Sequence, residues 1–174
     1  MSAKQQPRFR QPDSSLLVFG IGNSGREDDG LGWAFLDRVQ QEFNFQARFE
    51  YRYQLQIEDA ALICSAERVV FVDSFNGQLP GGFRWTRCKA RSDFQFTSHV
   101  LPPEAVIYLC RQLYSTEPEA YLLAIQGESW KLETGLSNTA QGNLKAALGC
   151  FREHVGSWPG FFTKEGQKTG NYSI

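Results

Sequence analysis

Three side chains in this sequence are of types that together could hold a divalent cation: Asp29, Asp73 and His99. Asp73 follows the apolar run Val69-Val70-Phe71-Val72, which reads as a buried strand ending on a carboxylate. A lone carboxylate in such a place is costly unless it is paired or ligated. Asp29 closes the acidic run Glu27-Asp28-Asp29, in which Asp28 is the alternative inward-facing residue. His99 lies in Thr97-Ser98-His99-Val100-Leu101-Pro102. Two carboxylates and one imidazole form an oxygen-rich, borderline donor set with an open coordination position. That set suits a divalent transition ion that polarises a carbonyl or activates water. Plainer roles fit the same spacing: a strand-end Asp often caps a turn, and a loop His is often simply solvated.

Gly20-Ile21-Gly22-Asn23-Ser24-Gly25 has the form GxGxxG after a predicted strand, so a dinucleotide site is the competing reading. A pyrophosphate needs a bare, positive helix N-terminus. Here Glu27, Asp28 and Asp29 occupy that position; they satisfy the helix dipole themselves and repel phosphate. Serine and cysteine nucleophiles find less support, because there is no GxSxG elbow and no Cys before a strand-to-helix turn. Cys64, Cys88, Cys110 and Cys150 are too far apart for a CxxC pair. They read as reduced, mostly buried thiols.

These residues must be positioned by an alternation of strands and helices. Apolar runs at residues 16–19, 69–72 and 121–126 read as buried strands, and 49–55 and 83–88 as two more. Leu31, Phe35, Leu36, Val39 and Phe43 recur at helical spacing across 29–43. Helices are also predicted at 57–66, from Pro102-Pro103 onward, and from a Ser137 cap to about Val155. The expected fold is a three-layer α/β sandwich. Its five-stranded sheet is mostly parallel, the stretch 83–88 is a candidate antiparallel strand, and helices cover both faces. In such sheets the site lies beyond the carboxyl ends of the strands, at the switch in strand order. If the first and third strands are neighbours, Asp29 and Asp73 share one cleft.

The chain divides into a flexible arm at 1–13, one α/β domain at 14–157 and a tail at 158–174. Lys+Arg 18 against Asp+Glu 19 gives a formal charge of -1, which argues against a nucleic-acid partner held by bulk charge. There is no apolar leader and no run near the ~20 residues of a membrane span. A cytoplasmic monomer is expected.

Leu17-Val18-Phe19-Gly20-Ile21-Gly22-Asn23 followed by Asp28-Asp29-Gly30-Leu31-Gly32 resembles the opening of the hydrogenase maturation endopeptidases. Those enzymes trim the C-terminal extension from the large subunit of NiFe-hydrogenase. The resemblance continues through Val70-Phe71-Val72-Asp73-Ser74, Leu79-Pro80-Gly81, Ser98-His99 and Gly135-Leu136-Ser137. It implies that Asp29, Asp73 and His99 are both the metal-binding and the catalytic residues. It also implies that the partner is a large-subunit precursor, and that the nickel arrives with this precursor rather than being held by the enzyme. Two departures stand out. Asp29 occupies a position where the family often has Glu. Tyr53-Gln54-Leu55-Gln56-Ile57-Glu58 replaces an Asp-Gly-Gly-Thr type stretch and resembles a Gln-Leu variant. Beside this reading stand a non-catalytic nickel- or precursor-binding accessory protein and a nucleotide-binding α/β domain.

Overall fold

Alternation along each strand decides which layer its side chains feed. In β1 (Ser14–Ile21), Leu16 and Val18 face one side, and Leu17, Phe19 and Ile21 the other. In β3 (Ala66–Asn76), Val70 and Val72 join the first group, and Val69 and Phe71 the second. Both faces are apolar, so both must be covered. The structure, a computed structural model, describes residues 14–44, 46–92 and 101–158. The predicted arm, His99 and residues 159–174 of the tail lie outside the described residues.

The sheet has five strands in the order β2-β1-β3-β5-β4, with β2 at Arg48–Arg52, β4 at Phe83–Cys88 and β5 at Glu119–Gly127. β1, β2, β3 and β5 are parallel, and β4 pairs antiparallel with β5, as the short turns around it suggest. Helices α1 (Leu31–Glu42) and α4 (Asn138–Gly156) cover one face, burying Phe35, Leu36, Leu144 and Phe151 against Val18, Val70 and Leu123. Helices α2 (Asp59–Ile63) and α3 (Pro103–Tyr114) cover the other, with Ile63, Val106 and Cys110 against Phe19 and Phe71. This is the expected three-layer sandwich. The switch in strand order falls between β1 and β3.

The helix predicted at 57–66 is shorter, and its last residue, Ala66, opens β3; three further differences bear on the site. β3 does not end at Asp73; it runs on to Asn76, because Ser74, Phe75 and Asn76 pair with Ile125, Gln126 and Gly127 of β5. β2 stops at Arg52 rather than Leu55. There its carbonyl accepts from Gly22 N at 2.9 Å and Trp33 Nε1 at 3.1 Å, and the chain then turns as Gln56 N donates to Asp59 Oδ2 at 2.8 Å. The acidic run is not the first turn of α1. It forms a separate 3-10 turn, Glu27–Gly30, before it.

Gly32 explains how tightly α1 sits on the switch point. A Cβ there would run into Ile21 N and O and Val72 O together, so the helix rests on the ends of both β1 and β3.

Candidate functional site

Asp29 and Asp73 both lie at this switch point. Asp73 follows Val69 and Phe71 on the α2–α3 face, just past the last β1–β3 pair, Gly20 with Val72. Asp29 comes over the edge of the sheet from the 3-10 turn. Its main chain is held on both sides, since Asn23 N donates to its carbonyl at 3.1 Å and its own N–H donates to Arg26 O at 3.1 Å. Gly22, at φ 131°, lies directly against that carbonyl and has no room for a side chain. Ser74, on the opposite side of β3 from Asp73, brings its Oγ to 3.5 Å from Asp29 Oδ1.

The electrostatics of the pair are unfavourable. The Asp73 carboxyl is pushed up to about 6, first by burial and further by the charge of Asp29, against a lowering hydrogen bond from the Ser74 main chain. Among the described residues neither carboxylate makes an ion pair. A cation placed between them would relieve both the desolvation and the repulsion. That donor chemistry fits a divalent ion, although two carboxylates alone are an incomplete shell. No cluster of three His, Cys, Asp or Glu ligands occurs among the described residues. His99 belongs to the connection from β4 to α3, whose flanking Leu101 packs on the α2–α3 core.

Asp28, the alternative inward acid, is used otherwise. It is fully buried. Its Oδ2 accepts from Glu128 N at 2.8 Å, Ser129 N at 3.0 Å and Ser137 Oγ at 2.7 Å, and its Oδ1 from Ser137 N at 2.7 Å. Burial alone would raise this carboxyl, but the hydrogen bonds outweigh it and hold Asp28 below the usual carboxylate range. Ser137 is also the cap of α4, as its sequence position suggests, accepting from Ala140 N at 3.1 Å. The sequence reading misses the link between Asp28 and Ser137, which are separated by more than a hundred residues. The only local signal is that both stand at helix starts.

The glycine loop is no phosphate cradle. The amides that would meet an anion are occupied: Glu27 N donates to Glu133 O at 2.7 Å, Asp28 N to Ser129 O at 3.1 Å, and Asp29 N to Arg26 O. Gly20 and Gly32 serve close helix–strand packing, since a Cβ on Gly20 would strike Gly32 O. Cysteine nucleophiles are no better placed. Burial pushes the Cys88 and Cys110 thiols up to about 12, and those of Cys64 and Cys150 also rise.

The rim around the carboxylates carries exposed apolar side chains. After β2, Tyr53 is 67% and Ile57 57% exposed, with Tyr53 leaning on Trp33 at 5.1 Å between ring centroids. After β5, Leu132 is 85% exposed. A cavity of about 190 Å³ lies at the ends of β3 and β5, lined by Asn76, Gln78, Gln126, Glu128, Trp130 and Thr139. A larger groove of about 790 Å³ runs between α1 and α4, but it lies along the helix layer, away from the strand ends. The carboxylates and the rim, not the larger groove, mark the candidate site. Among the described residues no helix is long and apolar enough to cross a membrane.

No protein-family model matches the chain, and no curated protein matches its sequence. Solved structures do match its fold. The hydrogenase maturating endopeptidase HybD from E. coli superposes with a TM-score of 0.65 at 18% identity, over 80% of this chain and 91% of that one. The NiFe hydrogenase maturation protease HycI from Thermococcus kodakarensis KOD1 gives 0.64 at 20% identity, over 79% and 90%. The hydrogenase 2 maturation peptidase from Thaumarchaeota archaeon SCGC_AB-539-E09 gives 0.58 at 22% identity, over 81% and 97%. The chain therefore has the fold of the hydrogenase maturation proteases, nearly end to end on their side.

Proposed function

We propose that this protein is a hydrogenase maturation endopeptidase, which removes the C-terminal extension from a nickel-loaded NiFe-hydrogenase large-subunit precursor. The observation that carries the reading is the Asp29–Asp73 pair, two carboxylates without an ion-pair partner among the described residues, at the switch point of a fold shared with such proteases. Nickel enters as part of the substrate. Asp29, Asp73 and His99 supply the oxygen and nitrogen donors that meet it, and the bound ion offers Lewis-acid polarisation of a nearby carbonyl. The protein itself keeps two acids within electrostatic reach of each other, at the expense of stability, so that their charge is relieved only when loaded precursor arrives. The exposed Tyr53, Ile57 and Leu132 provide apolar surface for the precursor around the cleft. The work is done in the cytoplasm by a monomer.

The test is to incubate nickel-loaded precursor with the wild-type protein and with His99→Ala, and to follow release of the C-terminal peptide by mass spectrometry. Release by wild type and its loss in His99→Ala are expected. Precursor binding without release by wild type would instead make the protein an accessory factor.

A further inference from the structure

Glu27, Asp28 and Asp29 are consecutive acids with separate duties, and two of them are committed to the connection between β5 and α4. Asp28 gathers Glu128 N and Ser129 N from the start of that connection, and Ser137 N and Oγ from its end, onto one carboxylate. Glu27 holds the middle: its N–H donates to Glu133 O at 2.7 Å, and its Oε2 accepts from Lys131 N at 3.2 Å. Glu27 adopts φ 44°, a left-handed conformation unfavourable for a residue with a side chain. Such a conformation persists only where the surroundings impose it.

A buried carboxylate is a poor way to gain stability alone, because an apolar side chain of similar size often serves as well or better. What it supplies is direction. Its two oxygens accept four hydrogen bonds from fixed positions, which leaves little freedom for its own main chain. One peptide bond further on is Asp29, whose side chain lies at Ser74 Oγ and within electrostatic reach of the like charge of Asp73. Left to itself, Asp29 would turn away toward water.

We propose that Asp28 is a positioning residue, which anchors the 3-10 turn to the β5–α4 connection and thereby holds Asp29 at Ser74, within electrostatic reach of Asp73. Ser137 completes this anchor and links it to the start of α4. The kinetic side of the proposal rests on the endopeptidase reading, whereas its geometric side does not.

The experiment combines a crystal structure of Asp28→Asn with steady-state processing of nickel-loaded precursor by Asp28→Asn, Ser137→Ala and Ser137→Thr, each at matched folded fraction. In the Asp28→Asn structure, the Asp29 carboxylate should leave its place beside Ser74 Oγ. Its kcat should fall about 10- to 100-fold with KM within threefold, as for residues that orient a metal-binding group. Ser137→Ala should lower kcat by a few-fold and Ser137→Thr should restore it, because only the latter keeps the hydroxyl. Should Asp28→Asn not fold, the Ser137 pair decides, since equal kcat for Ala, Thr and wild type would overturn the proposal. An Asp28→Asn structure with Asp29 unmoved, or an unchanged kcat, would overturn it as well. Absence of any peptide release by wild type would overturn the endopeptidase reading instead and leave the crystal structure to judge Asp28.

Discussion

Asp28 and Asp29 are adjacent in sequence and of one chemical type, yet their surroundings are opposite. Asp28 is fully buried, and both its oxygens are satisfied. Among the described residues Asp29 is partly open to solvent, with a long contact from Ser74 Oγ and the like charge of Asp73 within electrostatic reach. The first arrangement is what a folded chain does with an acid it must keep inside. The second is what it tolerates where an acid is needed for something that comes from outside. The contrast lies in the partners: the more buried carboxylate is the better satisfied one.

The comparison can be broken from either side. The largest effect is expected on the site: Asp29→Asn or Asp73→Asn should lower precursor processing by about a hundred- to a thousandfold, on the order of a removed transition-state interaction, measured as the rate of C-terminal peptide release. On the scaffold side, Asp28→Ala should cost about 3 kcal/mol of stability, because it leaves the N–H groups of Glu128, Ser129 and Ser137 without their charged acceptor. A urea titration would show this as a lowered midpoint.

Asp73→Asn should also show the opposite sign in the same titration. The folded Asp73 carboxyl lies at about 6 against 3.8 for its ordinary value, so the folded state resists its ionisation. Stability is fullest below pH 3.8, declines as pH rises toward 6, and stays reduced above. Replacing this acid should therefore stabilise the protein by about 2–3 kcal/mol at pH 7, converting the shift at 1.36 kcal/mol per unit, with no gain near pH 3. Asp28, held below the usual range, behaves inversely. It contributes stability at neutral pH that is lost as pH falls through its own titration. The smallest effect belongs to exposed positions on α4. Gly142 and Gly149 lie within α4 with open space where a Cβ would go, so each Gly→Ala change should raise stability by about 0.5–1 kcal/mol and leave processing untouched.

Much of this was legible in the sequence because it rests on local pattern. Apolar runs of four marked the strands, and the three- and four-residue spacing from Leu31 to Val39 marked α1. Asp73 stood out because nothing polar precedes it in its run. The extension of β3 to Asn76 was not legible: Asp73-Ser74-Phe75-Asn76 is a poor strand by composition and is carried by its pairing with β5. The role of Asp28 was hidden for a similar reason. Its partners are a hundred residues away, and no short-range rule connects a carboxylate after β1 to amides after β5. Ser137 was legible as a cap from its place before a helix, but not as a partner of Asp28. His99 lies outside the described residues, so its placing in the trio rests on the sequence.

The contact of Gly32 with Ile21 and Val72 bears on how this architecture tolerates change. It sets main chain against main chain, and main chain has no rotamers to repack. The gap between the turn bearing Asp29 and the strand bearing Asp73 is thus fixed by parts common to every sequence that keeps a glycine there. Surrounding side chains can drift without altering it. Such an arrangement would let chains only about a fifth identical retain one fold.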